Sequence, residues 1–486
     1  MATPIDPARR RFLGTSSRIA LGSACALATL GRLELAQAAS RPGDYRALVC
    51  LYLLGGNDSY NMVVPRDSAA HATYAAARPA LVVPREALLP ISPISGDQGA
   101  GWGLHPAMPE MADLFGRGKA ALLANVGPLV QPTTADDYRL ARVPLPPELF
   151  SHIDQQAHSM SLGSEVESRP GWGGKIADRL AERFAANRDA NGLPAALSLS
   201  GANAWQNGSD GGLYTLGSTG VTRLDATLRN DPSTRWATRR DAFNALLDLG
   251  ERDGSTFVRE SSRATRRARD FAESVNAAIE PISPATVFPS TTLGSQMRTI
   301  ARVIGARRTL GQSRQVFFVG FGGWDTHDNM LEDHQTLLST ISQALGAFQQ
   351  ATEELGIADA VTTFTMTDFG RTLNNNGDGT DHGWGGHSWI IGGDVVGGHI
   401  HGSMNEYALG SARDVGRGRM VPTTSVDQLG ATMARWMGLG YGDAVEIFPR
   451  LPAFGSGADY LPLFASTNAQ LIDPRITRGA GPTGKL

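Results

Sequence analysis

The chain has 486 residues, with 44 Lys and Arg against 47 Asp and Glu and a formal charge of −3. A mildly acidic balance of this kind makes a poor candidate for nucleic-acid binding, because contacts to a phosphate backbone need a basic face. With Cys25 and Cys50 as its only cysteines, the chain cannot be a disulfide-stapled scaffold and depends on its core for stability.

Residues 1–38 read as an address. Arg9-Arg10-Arg11-Phe12-Leu13 precedes an apolar run from Ile19 to Leu30, and Ala36-Gln37-Ala38 supplies small residues for cleavage. The twin arginines predict a Tat signal peptide, export of the folded chain by the Tat translocase, and a periplasmic or secreted mature protein. The apolar run is too short and alanine-rich for a membrane span, so the cleaved chain is not expected to be an integral membrane protein. Cleavage would remove Arg9, Arg10, Arg11, Arg18, Arg32, Asp6 and Glu34, moving the formal charge from −3 to −6, and would take Cys25 with it.

Apolar strand candidates follow at Arg46–Leu54, Ala120–Val126, Ala195–Ser200, Gln315–Phe321, Val361–Thr367 and Ser388–Gly392. Most are near-continuous apolar runs, as expected of strands buried on both faces. Helices are predicted between them. Gly174–Asn187 carries Ile176, Leu180 and Phe184 on one stripe; His334–Leu355 carries Leu337, Leu338, Ile341, Leu345 and Phe348. Val426–Met437 has Ser425 as N-cap with Gln428 three residues on. The alternation predicts an α/β fold, a mainly parallel sheet covered on both faces. From about 201 to 291 the texture becomes Gly/Ser/Asn-rich and then Arg/Glu/Ala-rich without obvious strands, which predicts a loop-and-helix insertion in a domain spanning 39–467. The Gly/Pro/Thr-rich segment 468–486 reads as a flexible tail.

Polar residues gather at the strand ends, where parallel sheets bind ligands. Asn57, Asp58, Ser59 and Asn61 follow the first strand; Asp325, His327 and Asp328 follow Gln315–Phe321; Asp368 and Arg371 follow Val361–Thr367; Asp381, His382 and His387 precede the last strand. Six of the ten histidines lie between His327 and His401. Carboxylate and imidazole together are metal donors, and converging carboxylates call for a cation. The predicted ligands are Asp58, Asp325, His327, Asp368, Asp381, His382 and His387, holding one or two divalent ions such as zinc, manganese or calcium. Ser151, beside His152 and Asp154, and Ser59 are candidate nucleophiles, with a metal hydroxide as the alternative. Sequence neighbours seldom face one another productively, so a metal would activate Ser151 more readily than His152 would. Arg371 is the candidate clamp on an anion.

The segments LLGGNDSYNMVVP (53–65), LFSHIDQQ (149–156), GWGGKIAD (171–178), GGWDTH (322–327), DFGRTLNNNGDGTDHGWGGH (368–387) and VPTTSVDQLGATMARWMG (421–438) resemble a Tat-exported bacterial family, domain-of-unknown-function family 1501. That family in turn resembles the alkaline phosphatase and sulfatase superfamily. The resemblance implies a three-layer α/β/α sandwich, alkaline-phosphatase-like, with two metals at the strand ends. It also implies ligands at Asp58, at Asp325 with His327, at Asp368, and at His382 or His387; alternatively Asp381-His382 is the Asp-His pair and His387 the last ligand. Two departures stand out. The middle Asp and His are two apart rather than four, and Phe369 stands where a histidine would follow Asp368. The expected function is an exported metal-dependent hydrolase of phosphate or sulfate esters acting on a small anionic ester; the alternative is a non-catalytic periplasmic binding or assembly protein that keeps the sandwich.

Overall fold

The computed structural model describes residues 44–96, 99–163, 170–184, 193–209, 212–218, 220–221, 234–455 and 460–466. The signal at 1–38, the tail from 468 and part of the 201–291 insertion lie outside the described residues. In chain order the strands are β1 Arg46–Leu53, β2 Val63–Pro65, β3 Leu89–Pro90, β4 Trp102–Leu104, β5 Ala120–Gly127, β6 Ala196–Ser198, β7 Leu213–Thr215, β8 Arg314–Phe321, β9 Val361–Thr367, β10 Gly386–Gly392, β11 Ile400–His401 and β12 Thr424–Ser425.

Among the described residues the main sheet runs β11-β5-β10-β9-β1-β8-β6-β7, with β12 also on β5, while β2, β4 and β3 form a small antiparallel sheet. Neighbours in the main sheet pair in parallel except at β10, which is antiparallel to both β9 and β5. That one reversal matters for the site. Residues just before β10 reach the same edge as residues just after β1, β8 and β9.

The continuous apolar character of β1 has the cause its sequence implies. Ala47, Val49, Leu51 and Leu53 enter one core, and Leu48, Cys50 and Tyr52 enter another on the opposite face. Each fully buried Leu or Val contributes roughly 1.5–3 kcal/mol relative to exposure. The first face is covered by the helices Pro109–Gly116, Thr292–Gly305 and Met330–Glu354, the second by Trp172–Arg183, Val426–Trp436 and Tyr441–Ile447. The result is the three-layer α/β/α arrangement.

Ser425 caps its helix as expected, in a capping box with Gln428. The helix expected from His334 begins earlier, at Met330, behind Asn329 in the left-handed region, with Glu332 and Asp333 in its first turn, where they oppose the helix dipole. The insertion holds the helices Thr234–Glu251 and Thr256–Ile279, joined by Arg266 to Asp248 and Glu251. It also contributes β7, contrary to the strand-free expectation. Three residues, only partly buried and paired with β6 alone, leave too short a pattern to read as a strand.

Candidate metal centre

Four side chains from three places meet at the carboxyl edge of the sheet. Asp325 and His327 follow β8; His382 comes from the loop before β10; His152 opens the helix His152–Ser161. The loop approach depends on glycine: Gly55 has φ +118°, and a Cβ there would stand 2.5 Å from the Asp325 amide nitrogen. Gly56, at φ +91°, lets the Phe369 ring lie against the backbone, 2.5 Å from where a Cβ would be. Arg371 and His382 face each other across a short antiparallel bridge, closed by Gly383 N–H donating to Gly370 O at 2.8 Å and Thr372 N–H to Asp381 O at 2.9 Å.

Donor atoms of His152, Asp325 and His382 all lie within 4.8 Å of one another. Asp325 Oδ1 is 3.3 Å from His152 Nε2, 3.3 Å from His382 Nε2 and 3.1 Å from His327 Nε2. His327 Nε2 and His382 Nε2 are 3.0 Å apart. Ligands about 2 Å from one zinc in tetrahedral array stand roughly 3.3 Å apart, which is the spacing around Asp325.

The second nitrogen of each ring decides what the first can do. His152 Nδ1 is 2.7 Å from Asp368 Oδ2, His382 Nδ1 2.7 Å from Phe150 O, and His327 Nδ1 3.4 Å from Asp381 Oδ1. A carboxylate or carbonyl only accepts, so each Nδ1 carries a proton, and in the neutral form of each ring the Nε2 lone pair faces Asp325. His152 Nε2 is buried without a hydrogen-bond partner. Lone pairs converging on a carboxylate oxygen repel, and a divalent cation satisfies them all. The donor set therefore fits a metal.

The supports are themselves supported. Asp368 Oδ2 also accepts from Gln156 Nε2 at 2.9 Å, one helical turn beyond His152, and from Gly55 N–H at 3.1 Å. Phe369 packs 4.7 Å, centroid to centroid, from both the His152 and His382 rings. Asp381 is held by Asn376 Nδ2 and Arg417. Phe150, whose carbonyl orients His382, holds the left-handed conformation at φ +74°, a strain of order 1–3 kcal/mol for a non-glycine residue.

Burial opposes charge on Asp325, but the hydrogen bond and charge of Arg371, with His327 and His152, outweigh it and hold its carboxyl below the ordinary range. Burial, reinforced by the charge of Arg371, pushes His382 down, which favours its neutral ring. Access remains open: the Asp325 side chain is 45% exposed and His327 36%.

Several expected site residues are placed elsewhere. Asp58 is fully buried and holds Arg78 through both oxygens, at 2.9 Å each, while also accepting the Asn61 N–H. Burial opposes its ionisation, yet Arg78 wins and keeps its carboxyl below the usual range, so its charge is already balanced. His387 Nδ1 accepts the Asn125 N–H and its Nε2 meets Tyr407 Oη at 3.2 Å, leaving no lone pair for an ion. Ser59 Oγ accepts the His387 N–H at 2.7 Å, and Ser151 Oγ donates to Asp154 at 2.6 Å. Arg371 is not disposed as an anion clamp: its buried guanidinium donates to Asp325 Oδ1, Gly55 O, Thr380 Oγ1 and Thr380 O. It positions Asp325. Asp368 and Asp381 hold imidazoles rather than joining the converging donors.

Sequence reasoning passed over His152 as a ligand and Gln156 as its support. The available signal was their four-residue spacing at a helix start, which puts both on one face.

The chain belongs to a protein family of unknown function, DUF1501, whose profile matches residues 45–446. No curated protein matches it. Two solved structures are similar to it at 10% identity. The lipoteichoic acid synthase LtaP from Listeria monocytogenes has a TM-score of 0.31, with 88% of this chain and 81% of that chain covered. The PsFucS1 sulfatase from Pseudoalteromonas sp. has a TM-score of 0.34, with 89% and 74% covered.

Proposed function

We propose that this chain is an exported metal-dependent hydrolase of phosphate or sulfate esters, with His152, Asp325 and His382 as ligands and His327 as the adjoining donor. One observation carries the reading: three imidazoles, each with its Nδ1 proton committed, aim Nε2 at one carboxylate oxygen on an open rim. Imidazole-rich donors suit zinc, manganese favours oxygen-richer sets and calcium takes six to eight oxygens, so zinc leads the expected set and calcium drops from it. An ion held by His152, Asp325 and His382 would supply Lewis-acid polarisation of an ester oxygen and activation of water. The chain's own residues do the rest. Arg371 and Asp368 fix donor geometry, Phe369 keeps water from one side of the rings, and Arg417, exposed and paired with Asp381, adds positive charge near this rim. Residues 1–38 direct the folded chain to the Tat translocase and the periplasm or beyond; among the described residues no helix is long and apolar enough to cross a membrane.

A second reading, a metal-holding binding or assembly protein without turnover, is favoured by the seryl hydroxyls. Ser151 is given to Asp154 and Ser59 to the His387 amide, so neither is aimed at the cluster. Metal analysis of mature protein from the periplasm, with 4-nitrophenyl phosphate and sulfate assays, separates the two. Metal with turnover that His382→Ala abolishes supports the hydrolase. Metal without turnover on either ester selects the binding protein, and protein that takes up no zinc or manganese sinks both.

A further inference from the structure

A separate cavity of about 480 Å3 is enclosed by the loop after β11, the small sheet and the helix Ser68–Ala77. None of its lining residues belongs to the metal cluster. Trp102 and Tyr407 form an aromatic wall, their ring centroids 5.4 Å apart. Arg413 and Asn405 bring hydrogen-bond donors to the lining.

Arg413 is half-buried and forms no ion pair among the described residues. Only its Nη1 donates, to Ser403 O at 3.4 Å and Met404 O at 3.3 Å, leaving Nε and Nη2 without a partner among the described residues. Asn405 Oδ1 accepts from Asn125 Nδ2 at 3.0 Å, and the Asn405 side chain also meets the Tyr60 hydroxyl beside it. The uncommitted Nε and Nη2 of this guanidinium can take an acid group in a charge-assisted hydrogen bond. The volume falls within the range of about 300–1,000 Å3 usual for small-molecule sites. Glu406 is the lone carboxylate of the lining and is exposed, which disfavours ligands of high negative charge.

We propose that this cavity is a second binding site, independent of the metal cluster, for a small organic monoanion. Arg413 holds its carboxylate or equivalent acid group through a charge-assisted contact, and its planar or sugar-like body lies against Trp102 and Tyr407.

The test titrates benzoate and glucuronate into the mature protein by calorimetry, with and without EDTA. At least one is expected to bind, with the same affinity after EDTA treatment and in His382→Ala. Arg413→Gln should weaken that binding about tenfold or more, and Ala412→Trp, which fills the cavity and leaves the charge in place, should abolish it. Circular dichroism identifies any variant that fails to fold; Ala412→Trp then decides alone. The proposal is overturned if neither anion binds at about 10 mM, if both variants bind as the parent does, or if EDTA removes the binding.

Discussion

Two groups of acid and imidazole sit near the same edge of the sheet, and they are employed in opposite ways. Around Asp58, the charge and the imidazole are committed: Arg78 neutralises the carboxylate in a fully buried pair, and His387 uses both ring nitrogens on Asn125 and Tyr407. Around Asp325, the protons are held on the outer nitrogens by Asp368, Asp381 and Phe150 O, leaving inner lone pairs unspent. Residue type is the same in both; the outer partner decides whether an imidazole is fully committed or keeps a donor nitrogen facing the rim.

Breaking the closed group should give the largest effect. Arg78→Met leaves Asp58 buried and uncompensated, at about 3–5 kcal/mol of stability, with metal stoichiometry of the folded fraction unchanged. Urea unfolding beside metal analysis checks this, and loss of metal at unchanged stability would erase the distinction. Next come His152→Ala and His382→Ala, expected to cut zinc affinity more than about 100-fold, beyond the effect of losing an outer partner. Competition with a chelating dye measures it, and wild-type affinity in either variant removes that residue from the ligand set. Asp368→Asn should fall between, at about 10–100-fold, because it loosens His152 without removing a donor.

The closed group also has a pH signature. Burial pushes His387 down to about 4 and His334, a buried ring beside Asp58 whose Nε2 meets Asn57 Oδ1 at 3.0 Å, down to about 3, from an ordinary 6.5. Their folded values lie below their unfolded ones, so the unfolded chain takes up protons first on acidification. Their contribution is whole above pH 6.5 and is lost as pH falls through about 4, with a slope of roughly one kcal/mol per pH unit for each histidine. Denaturant midpoints between pH 7.5 and 4 test this; a flat profile contradicts the burial argument. The smallest effect belongs to Ser151→Ala, expected to leave zinc affinity within about twofold because its hydroxyl serves Asp154 rather than the cluster.

Much of the scaffold was legible because periodicity reports burial. Continuous apolar runs became β1, β5, β8 and β9, and the polar segments after them, with the one before β10, reached a common edge. β7, β11 and β12 escaped because two or three residues carry no pattern. Composition and local spacing alone determined the α/β alternation and the segments that supply Asp325, His327 and His382. Which acids would be neutralised and which imidazoles left open was decided only by tertiary structure. His152 meets Asp368 across 216 positions of chain and Arg371 meets Asp325 across 46. Local residue pattern encodes what is buried, whereas proton placement and charge balance depend on partners that only the folded chain brings within hydrogen-bond reach.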